Sequence, residues 1–170
     1  MIKKTKHRSP ITEHRTGFTL IELLISLTIV GLIFGVGYVN FREFSRRQVV
    51  SSVHSQIFAD LRLAQAKAIS GEKPADTKCD VPNVLNGFGF RLLTSSSYQL
   101  EANCSGGTVL VKSGTISDSL TISTPTPNPI LFKAVAQGTN IPSGQVDLLI
   151  TLVGTGKTAT VSVTAAGEIK

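Results

Sequence analysis

Few of the 170 residues have side chains suited to chemistry, and the most informative is an acid in an apolar setting. Residues 18–39 read FTLIELLISLTIVGLIFGVGYV, and Glu22 is the only charge among them. A carboxylate inside a membrane segment is costly unless it lies near the interface, is neutralised or is paired, which makes Glu22 a functional candidate. The run contains no Lys, Arg or His to pair with it. A cation must therefore come from another chain or from a newly made amino terminus. Cleavage after Gly17 would create that terminus, an α-amine on Phe18 four residues before Glu22. Within one chain the two groups approach across a single helical turn, and between staggered chains the pair would fix an axial step.

The other candidates are weaker. His54 is the only histidine beyond residue 17, and it has neither the nucleophile nor the orienting partner that a general base needs. It reads as a surface or packing histidine. With no Ser-His-Asp arrangement and no metal-ligand spacing, the chain is expected to be neither an enzyme nor a holder of a cofactor or metal. Cys79 and Cys104 are the only cysteines. On the far side of a membrane such a pair is expected to bond, closing a loop worth about 3 kcal/mol in the chain-entropy model; unlinked thiols are the alternative.

The elements that position these residues follow from composition and periodicity. Residues 1–17 are polar and carry Lys3, Lys4, Lys6, Arg8 and Arg15 against Glu13. The 22 residues after them are long and apolar enough for a membrane-spanning helix. An ordinary secretory signal, cut near Gly35-Val36-Gly37, and a plain membrane anchor compete for this stretch, but neither accounts for Glu22. Beyond it Val50, Val53, Ile57, Leu61, Ala64 and Ala68 recur at helical spacing and define an apolar face. A stalk helix from Phe18 to about Ser70 would be roughly 80 Å long, with Gly71 and Pro74 as stop signals.

The remainder alternates as strands do. Phe88, Phe90 and Leu92 are followed by Tyr98, Leu100 and Ala102, and Val109 and Val111 come after a Gly106-Gly107 turn. The prolines of residues 124–129 forbid a central strand, and extended structure is expected again from Ile130 to Val135. A hairpin closes the chain: Val146, Leu148, Ile150 and Leu152 lead through Gly154-Thr155-Gly156-Lys157 to Ala159, Val161, Val163 and Ala165.

Gly17-Phe18-Thr19-Leu20-Ile21-Glu22-Leu23-Leu24, behind a short basic leader and ahead of an apolar helix, resembles the processing site of type IV prepilins and type II secretion pseudopilins. The resemblance implies cleavage between Gly17 and Phe18 by a prepilin peptidase/methyltransferase and N-methylation of Phe18. It also implies pairing of Glu22 with the Phe18 amine of a neighbouring subunit during assembly. The implied fold is α+β and pilin-like, a long N-terminal transmembrane and stalk helix packed on an antiparallel β-sheet head. Its divisions are a cleaved leader at 1–17, a membrane helix at 18–39, an amphipathic stalk at 40–70 and a head at 71–170. The implied partners are other pilin or pseudopilin subunits, an inner-membrane assembly platform and the lipid bilayer. The implied location is the cytoplasmic membrane, with a single pass and the head outside.

Within that family the head lacks the Tyr-Pro pattern and acidic calcium loop usual in major pseudopilins. Residues 61–69 and the final Gly167-Glu168-Ile169-Lys170 are more similar to H-type minor pseudopilins and related minor pilins. A DNA-binding or adhesive minor pilin is the alternative, but Glu168 stands where a DNA-capturing motif would carry a base. Nucleic acid is not an expected partner. Five of the 17 cations and one of the 11 acids lie in the leader, so +4 of the net +6 would leave with it. The basic balance is then an orientation and processing signal more than a phosphate-binding one.

Overall fold

Thr19 starts the first helix and Gly71 ends it. In the computed structural model, which describes residues 17–170 apart from the side chains of 36–40, α1 runs Leu20–Ser70. The backbone N–H of Glu22 donates to Thr19 Oγ1 at 3.3 Å, meeting a donor that the first turn leaves without an intrahelical partner. At the other end Gly71 adopts φ +64, a left-handed conformation that glycine enters at no steric cost, and its N–H reaches back to the Ala68 carbonyl. The chain divides into two compact units, one reaching Arg42 and the other Glu43–Lys170. Of the expected leader at 1–17, residues 1–16 lie outside the described residues.

In the first unit the apolar side chains from Leu20 to Phe34 are exposed. Ser26 and Thr28 return their hydroxyls to the carbonyls of Glu22 and Ile25, each at 2.7 Å, so neither presents an unpaired donor. Among the described residues no helix is long and apolar enough to cross a membrane. The expected span at 18–39 runs into positions 36–39, whose side chains lie outside the description.

The second unit is built on the apolar stripe of α1. Val50, Val53, Ile57, Leu61, Ala64 and Ala68 are all buried, as their three- and four-residue spacing requires of one face. Two antiparallel sheets share the core with them. The first has the order β3-β2-β1-β5, from β1 (Leu85–Thr94), β2 (Ser97–Cys104), β3 (Gly107–Thr115) and β5 (Ile130–Lys133). The second has the order β4-β6-β7, from β4 (Leu120–Ile122), β6 (Gln145–Leu152) and β7 (Lys157–Thr164). Strand alternation sends Phe88, Phe90, Leu92, Tyr98, Leu100 and Ala102 inward from the first sheet, and Leu148, Ile150, Val161 and Val163 from the second.

The proline-rich segment breaks the ladder, and asparagines mend it. β1 pairs with β5 from Gly87↔Lys133 to Phe90↔Ile130, where the prolines stop the pairing. The Asn128 amide then donates to the Leu92 carbonyl at 2.9 Å and accepts from the Leu92 N–H at 3.0 Å, doing with a side chain what the next residue pair would have done with backbone. Asn140 covers the other side of β5, accepting from the Leu131 N–H and donating to the Pro129 carbonyl. Extended structure stops at Lys133, two residues short of the expected Val135. Val135 and Ala136 take φ 58 and 57, turning the chain so that the Lys133 N–H meets the Gly138 carbonyl.

Candidate functional site

Gly17 and Phe18 precede the first turn of α1 in non-helical backbone. Phe18 is 81% exposed, and among the described residues nothing lies within 4 Å of the position a Gly17 side chain would occupy. Among the described residues, nothing covers this peptide bond. Glu22 follows in the first helical turn, at the positive end of the helix dipole, and is itself exposed. Thr19-x-x-Glu22 has the spacing of a helix-capping pair, so local helix chemistry favours an acid at this position as well. Sequence reasoning missed that second role although the signal was in plain view.

Cys79 and Cys104 are bonded to each other, with Cα atoms 5.3 Å apart, and both are buried. They tie the segment between α1 and β1 to the end of β2. Lys73 Nζ adds a bond to the Asn83 carbonyl at 2.6 Å, and the Ser105 N–H adds one to the Val84 carbonyl at 2.9 Å.

The most concentrated polar chemistry lies elsewhere, between α1 and β2. Asp60 is buried and accepts from the Tyr98 hydroxyl at 2.7 Å and from Lys112 Nζ at 2.6 Å. Gln56 Nε2 donates to the same hydroxyl at 2.9 Å. Burial, followed by the hydrogen bond to Asp60, pushes the Tyr98 phenol well above its ordinary value. Room for this ring comes from Gly114, its ladder partner on β3, where any Cβ would collide with it. On the opposite face of the sheet Glu101 is also buried. It receives Arg91 through Nε and Nη2 and Gln99 at 3.0 Å, lying over Gly89. No side-chain donor or acceptor is left buried without a partner among the described residues. Both clusters are closed ion-pair networks that join elements.

Neither cluster was legible. Asp60 lies four residues before Ala64 on the apolar stripe's margin, and a lone acid there reads as solvent-facing until the opposing tyrosine is known. His54 stacks on Phe58 at 6.2 Å between ring centroids, and Arg62 lies 5.1 Å over the same ring, so this histidine contributes to a helix-flank stack.

A family model of the prokaryotic N-terminal methylation motif matches residues 14–38. It encloses Gly17, Phe18 and Glu22 in the order described above. No curated protein and no solved structure matches the chain. The chain carries a type IV prepilin-like N-terminal signal. This supports a processed, pilin- or pseudopilin-like subunit with prepilin peptidase and pilin partners in general.

Proposed function

We propose that the chain is a structural subunit, a minor pilin or pseudopilin, made as a precursor and cut between Gly17 and Phe18. Residues 18–39 hold it in the cytoplasmic membrane with the head outside until it is drawn into a type IV pilus or type II secretion pseudopilus. It performs no catalysis; the chemistry is done to its amino terminus. The match of residues 14–38 to the methylation motif carries this reading. The exposed apolar surface from Leu20 to Phe34 supports it, since such a surface needs lipid or neighbouring helices to cover it.

Mass spectrometry of the protein from cells containing a prepilin peptidase tests the reading. The expected mature form begins at N-methylated Phe18, and an intact leader or a cut after Gly37 would overturn it. Glu22→Ala is expected to insert in the membrane normally but to lose about tenfold in recovery from sheared filaments, the factor that ~1.4 kcal/mol of lost pairing gives. Undiminished recovery would remove Glu22 from assembly.

A nucleic-acid role is not favoured. Of the three cations after Lys112, Lys157 is paired with Glu43 and Lys170 with Glu168, leaving little clustered charge for phosphates.

A further inference from the structure

Each sheet edge in the second unit is guarded, with one exception. β3 carries a register shift opposite Leu100/Glu101, a break that the β6–β7 ladder does not have. β4 is three residues long, and β5 is covered by Thr139 and Asn140. These are ordinary devices against unwanted strand pairing. β7, the edge of the second sheet, is guarded over only half its length. Ser162 exchanges both backbone bonds with Lys170, and the Thr164 N–H meets the Glu168 carbonyl. Ile169, between them, is buried.

That pairing fixes which residues of β7 face outward. Backbone groups of Ser162 point away from β6, so by the two-residue period those of Thr160 and Thr158 do the same. No hydrogen bond among the described residues reaches them. The register from Gln145↔Thr164 to Leu152↔Lys157 is unbroken and contains no proline.

The helix flank shows what already fits against this edge. Gln65 donates to the Gly167 carbonyl at 2.9 Å and Arg62 to that of Ile169, so α1 and β7 hold the final segment between them. Further along the same two elements is an open groove of about 480 Å³, bounded by Arg47, Val50 and His54 on α1 and by Lys157, Thr158 and Ala159 on β7. Its floor is apolar at Val50 and Ala159. Its rim is cationic: Lys157 and Arg47 share one carboxylate, Glu43, leaving one positive charge in excess.

We propose that the unpaired half of β7 is a strand-addition site, taking an extended acidic segment of a partner protein in line with residues 168–170. The segment would run antiparallel to β7 and bond to Thr160 and Thr158. It would place alternate apolar side chains on Val50 and Ala159 and an acid toward Arg47. Backbone bonding supplies affinity in this mode, and the pockets and charges supply selectivity. The inference stands apart from the membrane-subunit reading, since it rests on the second unit alone.

Amide hydrogen exchange of the full chain in detergent micelles tests it, using a short synthetic peptide that alternates valine and glutamate. A counterpart with lysine for glutamate is the control. The acidic peptide is expected to slow exchange at Thr158 and Thr160 by about tenfold or more, and the lysine peptide to leave both unchanged. Arg47→Glu, an exposed substitution, should reverse that preference. Thr160→Pro should abolish the protection, because it removes an outward N–H that β6 does not use. Unaltered exchange with the acidic peptide, or equal protection by the lysine peptide, would overturn the proposal. Protection that grows with the concentration of the chain alone would assign the edge to a second copy and also overturn it.

Discussion

The Tyr98 hydroxyl donates to a buried carboxylate and accepts from Gln56, so its proton is held by geometry as well as by burial. Its folded value is raised above the ordinary 10.0 of an unfolded phenol. The unfolded chain therefore gives up that proton first. The stability contributed is present in full below pH 10 and is lost as pH rises from there toward the folded value. The chain has two tyrosines, so in a Tyr38→Phe background phenolate absorbance reports Tyr98 alone. We expect that absorbance to rise together with unfolding; ionisation at about pH 10 in a fully folded chain would refute the account. Tyr98→Phe should cost about 1.5–3 kcal/mol at neutral pH, the usual range for a hydrogen bond to a charged group, and should remove the alkaline decline. Chemical denaturation at several pH values measures both. The N-terminal site was far more legible than this network. Gly17, Phe18 and Glu22 are neighbours in sequence and their types are informative on their own. Asp60, Tyr98 and Lys112 come from α1, β2 and β3, and only the fold brings them together.

Helix and hairpin positions were readable because their signals are local. The burial of Val50, Val53, Ile57, Leu61, Ala64 and Ala68 follows from spacing alone, and the last hairpin follows from alternation around two glycines. β5 is different, for it is four residues long and its extension is blocked by prolines. Asn128 compensates with two bonds to Leu92, a residue 36 positions away and 5% exposed. Periodicity does not reveal such a pair, since an asparagine among prolines reads as a turn residue. Asn128→Ala would leave both backbone groups of Leu92 buried and unpaired, at a cost of about 1–3 kcal/mol. Denaturant titration should show this loss, and exchange of the Leu92 amide should quicken beyond the global change. An Asn128→Ala variant as stable as the parent would mean that water replaces the side chain there.

Across the molecule, the division of the strands into two sheets could not have been read in advance. It depends on β1 pairing with β5 across more than thirty residues while β4, which lies between β3 and β5 in sequence, leaves to join β6. Over long sequence distances the pieces are joined by Arg62 and Gln65 holding the final segment and by the Lys157–Glu43 ion pair, and covalently by Cys79–Cys104. Residues 71–84 contain no helix or strand, and few apolar side chains there reach the core. Their order relies on the disulfide and a handful of hydrogen bonds, whereas the β6–β7 hairpin has its own ladder and buried face. Replacing both cysteines by serine frees a loop of separation 25 and is expected to lower stability by about 3 kcal/mol. The loss should be uneven. Amides of residues 76–83 should exchange much faster, while those of β6 and β7 should change only by the global amount. Uniform acceleration across the second unit would show that the bridge supports the whole fold and not this segment, and unchanged stability would show that the hydrogen bonds at Lys73 and Ser105 already suffice.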